Sequence, residues 1–441
     1  MKISISGIRG VYGSDLSLQN ISKFARSFAS SIMKPGQDCI LACDTRPSSR
    51  LILQFVAANL MEQGINVYNL GVGPTPMVFR ESRDSKAGVV ITASHNPLHW
   101  NGLKFIIHGR GLFEEELGFL HDETSIPTPA KSGTFGTLSA ITSNYVNEVI
   151  SLISDEYAGN RAKVGIDPGG GATCGYCNLL FKRLGHSFYS INDIQGISSR
   201  SPDPTADELN ELRSLVSSNS LDFGFAFDLD GDRLVVIDNN GQKLSADSTL
   251  LLCIARAISM GMKKFVSSVD TSISIKRYIE QNGCSLYYSK VGEANVVKTM
   301  LDTGSDAGGE GSSAGFVMPS FNMCRDGFLA SAIVASLSKN TVDECLAISS
   351  QYRQIRSVLS VNSSLHTKLI DRLTDVLKTE SSEISNLDGV KAIVDDDSWI
   401  LVRPSNTEDV LRISVESKTG RSRSLFNNIS EKVQSIHEQV K

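Results

Sequence analysis

Short apolar runs alternate with segments of helical periodicity along most of this chain, and this alternation constrains its fold more than any other feature. Apolar residues recur at positions 18, 21, 24, 28 and 32, which is the spacing of one buried helix face. Apolar runs of strand length follow at 39–43, 65–70 and 87–91, with a helical segment at 48–63. Because strands and helices that alternate at this spacing pack as layers, the sequence predicts an α/β fold.

The length of 441 residues predicts several domains, since an ordinary domain holds about 100 to 200 residues. The α/β pattern continues to about residue 350, and Pro127 and Pro129 indicate a linker after its first module. Further strands are predicted at 357–361, 390–394, 398–402 and 411–415, with helices at 366–377 and 422–440. This last part indicates a smaller α+β domain. The predicted domains are 1–135, 136–244, 245–352 and 353–441.

Composition and charge exclude several classes of partner. The net charge is −5 without a basic stripe, so we expect neither nucleic acid nor a membrane surface as a partner. No run reaches the ~18 apolar residues of a membrane span, and no long apolar segment precedes Gly7. The eight cysteines are scattered, and the pair Cys174 and Cys177 lacks further zinc ligands. We therefore expect reduced thiols and a cytoplasmic location.

Residues 92–97, Thr-Ala-Ser-His-Asn-Pro, follow the apolar run at 87–91 and are called the serine loop below. A buried strand should end just before this loop, which places Ser94 at its carboxyl end. The residues alone leave two interpretations open. One is an ordinary Ser/Thr-rich turn, and the other is a nucleophile or phosphate carrier.

Three aspartates alternate directly after the apolar run at 223–227: Asp228, Asp230 and Asp232, called the aspartate triad below. A loop can turn all three carboxylates onto one hard cation such as Mg²⁺, which prefers oxygen ligands. A calcium-binding EF-hand requires glycine at the sixth position and a carboxylate at the twelfth, which are Arg233 and Asn239 here. A solvated acidic turn is the remaining alternative, but three such carboxylates repel one another without a cation.

The charges around the aspartate triad make a phosphorylated Ser94 physically plausible. Three carboxylates with Mg²⁺ carry about −1, and a phosphoserine adds roughly −1.5 to −2 at neutral pH. Cations are then needed nearby. Arg233 follows the triad directly, and we expect Arg9 and Lys104 on short turns that can converge on it. With them, the total charge comes close to zero.

A fourth stretch, Arg403-Pro404-Ser405-Asn406-Thr407, combines a guanidinium, two hydroxyls, an amide and turn N–H groups, and we call it the oxyanion cradle. Such donors can hold a phosphate, although an ordinary Asx or ST turn with a surface arginine would explain them too. Arg412 either adds a second charge to the cradle or faces solvent.

In this order, these stretches resemble the α-D-phosphohexomutase family, which includes phosphoglucomutase, phosphomannomutase and phosphoglucosamine mutase. The resemblance covers essentially the whole chain and also includes residues 7–10, 44–49, 71–76, 101–104 and 309–310. Residues 312–314 lack the histidine that many relatives have after the glutamate of the sugar loop. Glu293 stands where some relatives have histidine. Together with residues 324–327, Cys-Arg-Asp-Gly, these departures resemble the archaeal-type members more than the bacterial glucosamine mutases.

The resemblance implies three related α/β domains with mixed sheets and a smaller C-terminal α+β domain around a central cleft. It implies an isomerase that interconverts hexose 1-phosphate and hexose 6-phosphate through a phosphoserine and a sugar 1,6-bisphosphate. Mg²⁺ and a sugar 1,6-bisphosphate primer are the implied cofactors. Small-molecule sugar phosphates are the implied ligands, and we expect a monomer or a homodimer.

The family's functional residues are carried over to matching positions of this chain. Ser94 is implied as the phosphoserine, and the aspartate triad as the Mg²⁺ site that it completes. Arg9, Lys104 and Arg233 are candidates for assisting proton transfer or steering the reacting hydroxyl. Contacts to the sugar or its distal phosphate are implied for Lys290, Glu310, Ser312, Arg403, Ser405, Asn406, Thr407 and Arg412.

Two other functions remain possible on the sequence. A Mg²⁺-dependent phosphatase of the haloacid-dehalogenase type would carry a nucleophilic aspartate in a DxD pair after its first strand, and the first strand here has none. A non-catalytic sugar-phosphate binder would not require Ser94 together with the aspartate triad. The sequence does not determine the hexose, because glucose, mannose and glucosamine phosphates differ by one substituent.

Overall fold

The computed structural model describes residues 1–84, 86–121, 131–138, 141–154, 161–313, 315–405 and 409–440, and only the backbone of 119, 121, 141–143 and 154. These residues form two compact units. Unit 1 comprises Met1–Thr249 and Ser313–Ser338, and unit 2 comprises Leu250–Ser312 and Lys339–Lys441. The predicted linker prolines, Pro127 and Pro129, lie outside the described residues. None of the helices in the described part of the chain is long and apolar enough to cross a membrane.

The strands in chain order are β1 (Lys2–Ser4), β2 (Gly7–Val11), β3 (Asp38–Cys43), β4 (Asn66–Val72), β5 (Ala87–Ile91), β6 (Trp100–Ile107), β7 (Arg110–Gly111), β8 (Phe135–Thr137), β9 (Lys163–Asp167), β10 (Ser187–Ser190), β11 (Phe223–Phe227), β12 (Leu234–Ile237), β13 (Lys264–Ser268), β14 (Ser285–Ser289), β15 (Ala307–Glu310), β16 (Gly315–Val317), β17 (Tyr352–Ser360), β18 (Glu383–Ser385), β19 (Val390–Asp395), β20 (Ser398–Pro404) and β21 (Val410–Lys418).

The α-helices are α1 (Leu18–Ile32), α2 (Ser49–Glu62), α3 (Thr75–Glu81), α4 (Ile141–Ser154), α5 (Tyr176–Arg183), α6 (Asn210–Ser218), α7 (Ala246–Ser259), α8 (Ile273–Gln281), α9 (Glu293–Thr303), α10 (Gly327–Ala335), α11 (Lys339–Ser349), α12 (His366–Lys378) and α13 (Ser422–Val440). Short 3₁₀ helices span Glu114–His121, Gly311–Ser313 and Ser363–Leu365. The apolar run at 223–227 forms a strand with these bounds, and the predicted helix at 422–440 is confirmed with the same bounds.

The first sheet of unit 1 has the strand order β1-β2-β6-β5-β3-β4-β8, with β7 beside β6. Its pairs β3–β4, β3–β5 and β4–β8 are parallel, whereas β2–β6 and β5–β6 are antiparallel. Side chains of β3 alternate between two apolar clusters, with Leu41 packing in the cluster of α1 and α2 and Ile40 in that of α3. Helices therefore cover both faces, as in an α/β layer fold.

Arg9 and Lys104 do not lie on the short turns that we expected. Arg9 lies within β2 and Lys104 within β6, and Arg9 pairs with Gly102 across these antiparallel strands. The glycines of this region allow close strand pairing rather than a turn at Arg9. A Cβ atom at Gly7 would lie 2.2 Å from the carbonyl oxygen of Leu103.

The second sheet of unit 1 has the order β10-β9-β11-β12 and delivers the aspartate triad at the end of β11. Residues 202–205 precede helix α6 without capping it. They form a turn in which Asp203 Oδ1 accepts hydrogen bonds from the N–H and hydroxyl of Thr205. Helix α6 begins only at Asn210. An Asx turn satisfies the Asp203 side chain locally, so a helix need not follow.

In unit 2, strand β13 lies between β14 and β15 and is parallel to both. The last sheet has the order β17-β21-β20-β19-β18, and its β17–β21, β20–β21 and β19–β20 pairs are antiparallel. Helices α12 and α13 contribute Leu369, Leu373, Ile429 and Val433 to the core of this last sheet. A smaller apolar cluster joins Trp399 and Leu401 of β20 to Val269 and Ile273.

Candidate active site

Ser94 lies three residues beyond the end of β5 and is almost completely buried. Its hydroxyl donates a hydrogen bond of 2.7 Å to Asp228 Oδ2, and His95 Nδ1 lies 3.2 Å from Ser94 Oγ. The backbone of Ser94 is left-handed, with φ at 49°. The structure therefore brings the serine loop and the aspartate triad into direct contact, although they are 134 residues apart in sequence.

The aspartate triad is fully buried, with ligand oxygens that lie within 4.8 Å of one another. The buried strand β11 ends immediately before Asp228, and Gly231 adopts a positive φ of 71° that turns the chain between the second and third aspartates. Among the described residues, these three aspartates form a group of acidic side chains whose oxygens lie close enough together to hold a metal ion.

Two oxygens of the aspartate triad, Asp230 Oδ1 and Asp232 Oδ1, are buried without a hydrogen-bond partner. A buried carboxylate oxygen without a partner is costly unless a cation binds it. Three carboxylates supply hard oxygen ligands, which Mg²⁺ prefers over softer donors. The residues present therefore fit a divalent cation of this kind.

The three triad carboxylates have opposite electrostatic environments. Burial and the neighbouring charge of Asp232 raise the pKa of Asp228, and burial with the charges of both neighbours raises that of Asp230 well above its usual value. Burial alone would raise the pKa of Asp232 as well. The charges of Arg325 and Lys104 outweigh it and lower this pKa. Asp232 is thus the triad carboxylate whose ionised form is favoured and which pairs with the neighbouring cations.

The predicted cations surround this site. Lys104 Nζ lies 3.3 Å from Asp232 Oδ2, and the Arg9 guanidinium donates a 3.0 Å hydrogen bond to Asn96 in the serine loop. Arg233 directly follows the aspartate triad in sequence, and its guanidinium lies 3.8 Å from the Asp203 carboxylate. All of these residues belong to unit 1, so the predicted phosphoserine, metal ligands and cations lie in one compact unit.

Three residues at this site were not predicted from the sequence. Thr75 donates a 2.7 Å hydrogen bond to Asp230 Oδ2, and its own N–H binds the Asp230 carbonyl at 2.8 Å. Arg325 donates to Asp232 Oδ2 at 2.9 Å. Burial and the nearby charges of Arg233 and Arg9 lower the pKa of His95 to about 3, so its imidazole is neutral. Thr75 lies in the turn motif at 71–76, which was the available signal, and Arg325 lies in the stretch 324–327, for which the sequence predicted no role at the site.

Unit 2 holds the residues predicted to bind the sugar. Glu310 ends β15 and is buried, and its carboxylate accepts a 2.7 Å hydrogen bond from the N–H of Gly292. The preceding N–H, of Val291, donates to Asp388 Oδ2 at 3.0 Å. Lys290 begins this same loop, and Ser312 lies in the 3₁₀ helix directly after Glu310. Two carboxylates thus fix the Lys290 loop beside the predicted sugar loop.

The oxyanion cradle begins at the end of β20. Arg403 and Arg412 are direct partners on the antiparallel strands β20 and β21, and Arg403 also lies 4.0 Å from Asp388. Directly opposed cations on neighbouring strands repel each other, and an anion bound near them relieves that repulsion. The N–H of Ser405 donates to the Val410 carbonyl at 3.0 Å. Asn406 and Thr407 lie outside the described residues.

Family models match most of the chain in four consecutive parts. They are described as phosphoglucomutase/phosphomannomutase alpha/beta/alpha domain I at residues 1–117, domain II at 143–241, domain III at 245–354 and the C-terminal domain at 361–425. The predicted fold class, three α/β domains with mixed sheets and a smaller C-terminal domain, is confirmed by these matches. The domain boundaries that we drew from the sequence remain predictions.

Individual relatives are similar over nearly their whole length. The probable phosphoglucosamine mutase of Methanothermobacter thermautotrophicus is 32% identical over 99% of this chain and 96% of its own. The phosphoglucomutase/phosphomannomutase of Thermococcus kodakarensis is 28% identical over 94% of both chains. A crystal structure of a phosphoglucomutase/phosphomannomutase family protein from Burkholderia thailandensis has a TM-score of 0.85 at 23% identity and covers 99% of this chain and 98% of its own.

Proposed function

Because this chain belongs to the phosphoglucomutase/phosphomannomutase family, we propose that it is a phosphohexomutase that interconverts hexose 1-phosphate and hexose 6-phosphate. Family membership confirms the resemblance that the sequence motifs indicated. The observation that carries the proposed activity is the 2.7 Å hydrogen bond from the Ser94 hydroxyl to the aspartate triad. A hydroxyl held against metal-binding carboxylates is well placed to carry a phosphoryl group.

The proposed cycle begins with the phosphoryl group on Ser94, which a hexose 1,6-bisphosphate primer supplies. A free sugar hydroxyl loses its proton as its oxygen bonds to phosphorus, and Ser94 Oγ takes up a proton as its bond to phosphorus breaks. The product is a hexose 1,6-bisphosphate. Its other phosphoryl group then passes to Ser94 Oγ by the same exchange in reverse, which releases the isomeric monophosphate and restores the phosphoserine.

Catalysis of this transfer requires positioning and charge neutralisation, because its transition state is loose and spreads negative charge over the phosphoryl oxygens. When bound by the aspartate triad and the Ser94 phosphate, Mg²⁺ supplies positive charge to those oxygens. The partnerless oxygens of Asp230 and Asp232 support a cation at this position. Arg9, Lys104 and Arg233 add positive charge from the protein and steer the reacting hydroxyl.

The other end of the sugar phosphate is held, in this proposal, by the oxyanion cradle and Arg412. The opposed side chains of Arg403 and Arg412 support an anion site there. Glu310, Ser312 and Lys290 are proposed to contact the sugar hydroxyls. The same cradle must accept either phosphate of the bisphosphate, because the intermediate turns over between the two transfers. This requirement explains why a single serine can serve both positions of the sugar.

The test is a coupled assay of the purified protein with Mg²⁺ and the 1-phosphates of glucose, mannose and glucosamine, each with and without a bisphosphate primer. Glucosamine is the first sugar to examine, since the 32% identical relative is a probable phosphoglucosamine mutase. We expect turnover that depends on the primer. Release of inorganic phosphate without isomerisation would indicate the phosphatase instead, and binding without any reaction would indicate the non-catalytic binder.

The variant Ser94→Ala tests the nucleophile within the same assay. We expect roughly a 10³-fold or greater loss of turnover, because no other group in the proposal accepts the phosphoryl group. Ser218→Ala serves as the matched control, since Ser218 is an exposed serine of unit 1 at the end of α6. Equal turnover of the two variants would refute Ser94 as the phosphoryl carrier.

A further inference from the structure

We infer that Arg46 is a positioning residue of the serine loop, which holds Ser94 in the backbone conformation that directs its hydroxyl at the aspartate triad. This inference rests on the proposed function, because it concerns how Ser94 is presented for phosphoryl transfer. Arg46 lies in the connection between β3 and α2 and is only 2% exposed. None of the roles assigned above involves it.

The guanidinium of Arg46 has all five of its N–H donors engaged. Its Nε donates to a carboxylate, and its two terminal nitrogens donate to four backbone carbonyls in and just after the serine loop. The acceptors are Asp44 Oδ2 at 2.9 Å, the Ser94 carbonyl at 2.5 Å, the Asn96 carbonyl at 2.7 Å, the Pro97 carbonyl at 2.5 Å and the Trp100 carbonyl at 3.1 Å. One side chain thereby binds the loop along its whole turn.

Asp44 extends this network to the other side of Ser94. Its carboxylate accepts hydrogen bonds from the hydroxyls of Ser49 at 2.6 Å and Thr92 at 2.7 Å. The Thr92 hydroxyl in turn accepts the N–H of Ser94 at 2.8 Å. The peptide groups on both sides of Ser94 are therefore fixed, the N–H through Thr92 and the carbonyl through Arg46.

Such fixing is needed because the backbone of Ser94 is left-handed, with φ at 49°. A residue with a Cβ atom adopts this conformation only when its surroundings over-determine it. If the carbonyls were released, the loop could relax toward an ordinary conformation and the Ser94 hydroxyl would leave its 2.7 Å contact with Asp228. The network thus holds the strained turn in place and thereby fixes the direction of the Ser94 hydroxyl.

Lysine cannot replace arginine in this role. A planar guanidinium has five donors in a fixed fork, whereas an ammonium group has three donors on a single nitrogen. A lysine at position 46 could keep the charge pair with Asp44, but it could not reach four separate carbonyls. Because every donor of Arg46 is engaged within the protein, Arg46 has none left for a substrate. Its substitution should therefore affect the transfer rate and leave substrate affinity unchanged.

The experiment measures single-turnover phosphorylation of Ser94 by a hexose 1,6-bisphosphate with Mg²⁺, followed by mass spectrometry of the Ser94 peptide, alongside steady-state kcat and KM. For Arg46→Lys we expect phosphorylation and kcat to fall by about 100-fold with KM unchanged, as for a misplaced reacting group. The matched control is Arg50→Lys, because Arg50 is an exposed arginine four residues away in α2. A wild-type rate for Arg46→Lys would overturn the inference, as would a raised KM with unchanged kcat.

Thr92 provides a second test if Arg46→Lys does not fold. Thr92→Val removes the hydroxyl that links Ser94 to Asp44, and Thr92→Ser keeps it. We expect slow Ser94 phosphorylation in Thr92→Val and recovery in Thr92→Ser, and equal rates in the two would overturn the inference. Failure of the proposed function has a different signature, because the wild-type protein itself would then acquire no phosphate on Ser94.

Discussion

Asp230 is a residue at which the proposed metal binding and the stability of the metal-free protein oppose each other. Its Oδ2 accepts the Thr75 hydroxyl, whereas its Oδ1 is buried without a partner. The neighbouring carboxylates of the aspartate triad lie within 4.8 Å. Without a metal ion, folding must therefore bury three neighbouring carboxylates, and Lys104 and Arg325 contact only the third of them, Asp232.

We predict that Asp230→Asn stabilises the metal-free protein by about 1 to 3 kcal/mol, because it removes a buried carboxyl group whose ionisation burial and the neighbouring carboxylates oppose. The same change should abolish stabilisation by Mg²⁺. Thermal unfolding with a chelator, and then with excess Mg²⁺, measures both effects. A variant that is less stable than wild type in the presence of the chelator would contradict this expectation.

Thr75 orients one ligand of the proposed metal site through its side chain. We predict that Thr75→Val weakens Mg²⁺ binding by about 10-fold, since outer-shell hydrogen bonds orient metal ligands. Thr75→Ser retains the hydroxyl and is the matched control. Direct titration calorimetry with Mg²⁺ measures the affinity independently of catalysis. Equal affinities for the valine and serine variants would show that the Thr75 hydroxyl does not orient Asp230.

At the scale of elements, two strands deliver the site. Strand β5 ends before the serine loop and strand β11 ends before the aspartate triad, and both strands are fully buried. Buried strands of this kind read as continuous apolar runs, so their ends could be predicted from the sequence. The geometry of the loops that follow depends on residues with unusual backbone conformations, such as Ser94 and Gly231.

Contacts between elements account for what the sequence did not predict. Arg9 was expected on a turn because glycines flank it, but these glycines allow β2 to pair closely with β6. Arg325 reaches the aspartate triad from 93 residues away, and no local pattern encodes such a pair. Arg46 was visible as part of a family motif, but its five acceptors become evident only when the serine loop is folded over it.

Gly231 tests the turn within the aspartate triad. A Cβ atom there would lie 2.5 Å from Thr173 Cγ2, and its φ of 71° is unfavourable for an L-residue. We predict that Gly231→Ala destabilises the protein by more than the ~1 to 2 kcal/mol of the backbone strain alone. Gly13→Ala is the matched control, because Gly13 has a φ of 83° and open space around its Cβ position. Urea unfolding of both variants measures the difference, and equal losses would show that Thr173 moves aside.

At the scale of the whole molecule, the predicted site residues are divided between the two units. Unit 1 contains the serine loop, the aspartate triad and the cations that pair with them. Unit 2 contains the residues that are predicted to bind the sugar and its distal phosphate. Within unit 2, the third and fourth sheets are joined by buried polar groups. Glu416 accepts hydrogen bonds from the Ser272 hydroxyl, the Ile273 N–H and the Trp399 indole.

Lys391 lies at this same contact between the third and fourth sheets. Its burial leads us to expect that the stability of the protein depends on pH. Its ammonium group donates to the Val269 carbonyl at 2.6 Å and lies over the rings of Tyr288 and Trp399. Burial lowers the pKa of Lys391 to about 8, although the charge of Glu416 opposes this effect. Between pH 8 and the ordinary lysine pKa, the unfolded chain therefore binds a proton that the folded chain has lost, so stability rises with pH in this window.

We predict that the free energy of unfolding of the wild type, relative to Lys391→Met, rises by about 3 kcal/mol from pH 8 toward the ordinary lysine pKa. Below pH 8 the difference should be constant, because Lys391 is then protonated in both states. Urea unfolding followed by tryptophan fluorescence at a series of pH values measures it. A difference that stays flat, or falls, across the alkaline window would contradict the burial of this amine.

The most direct measurement is the phosphorylation state of Ser94 during turnover. The protein is mixed with Mg²⁺ and a hexose 1,6-bisphosphate, then with a hexose 1-phosphate, and the Ser94 peptide is followed by mass spectrometry as products are quantified. We predict one phosphoryl group on Ser94, lost to the monophosphate within a single turnover and regained as hexose 6-phosphate is released. Isomerisation with Ser94 unmodified, or with the phosphoryl group on another residue, would contradict the assignment of Ser94 as the carrier.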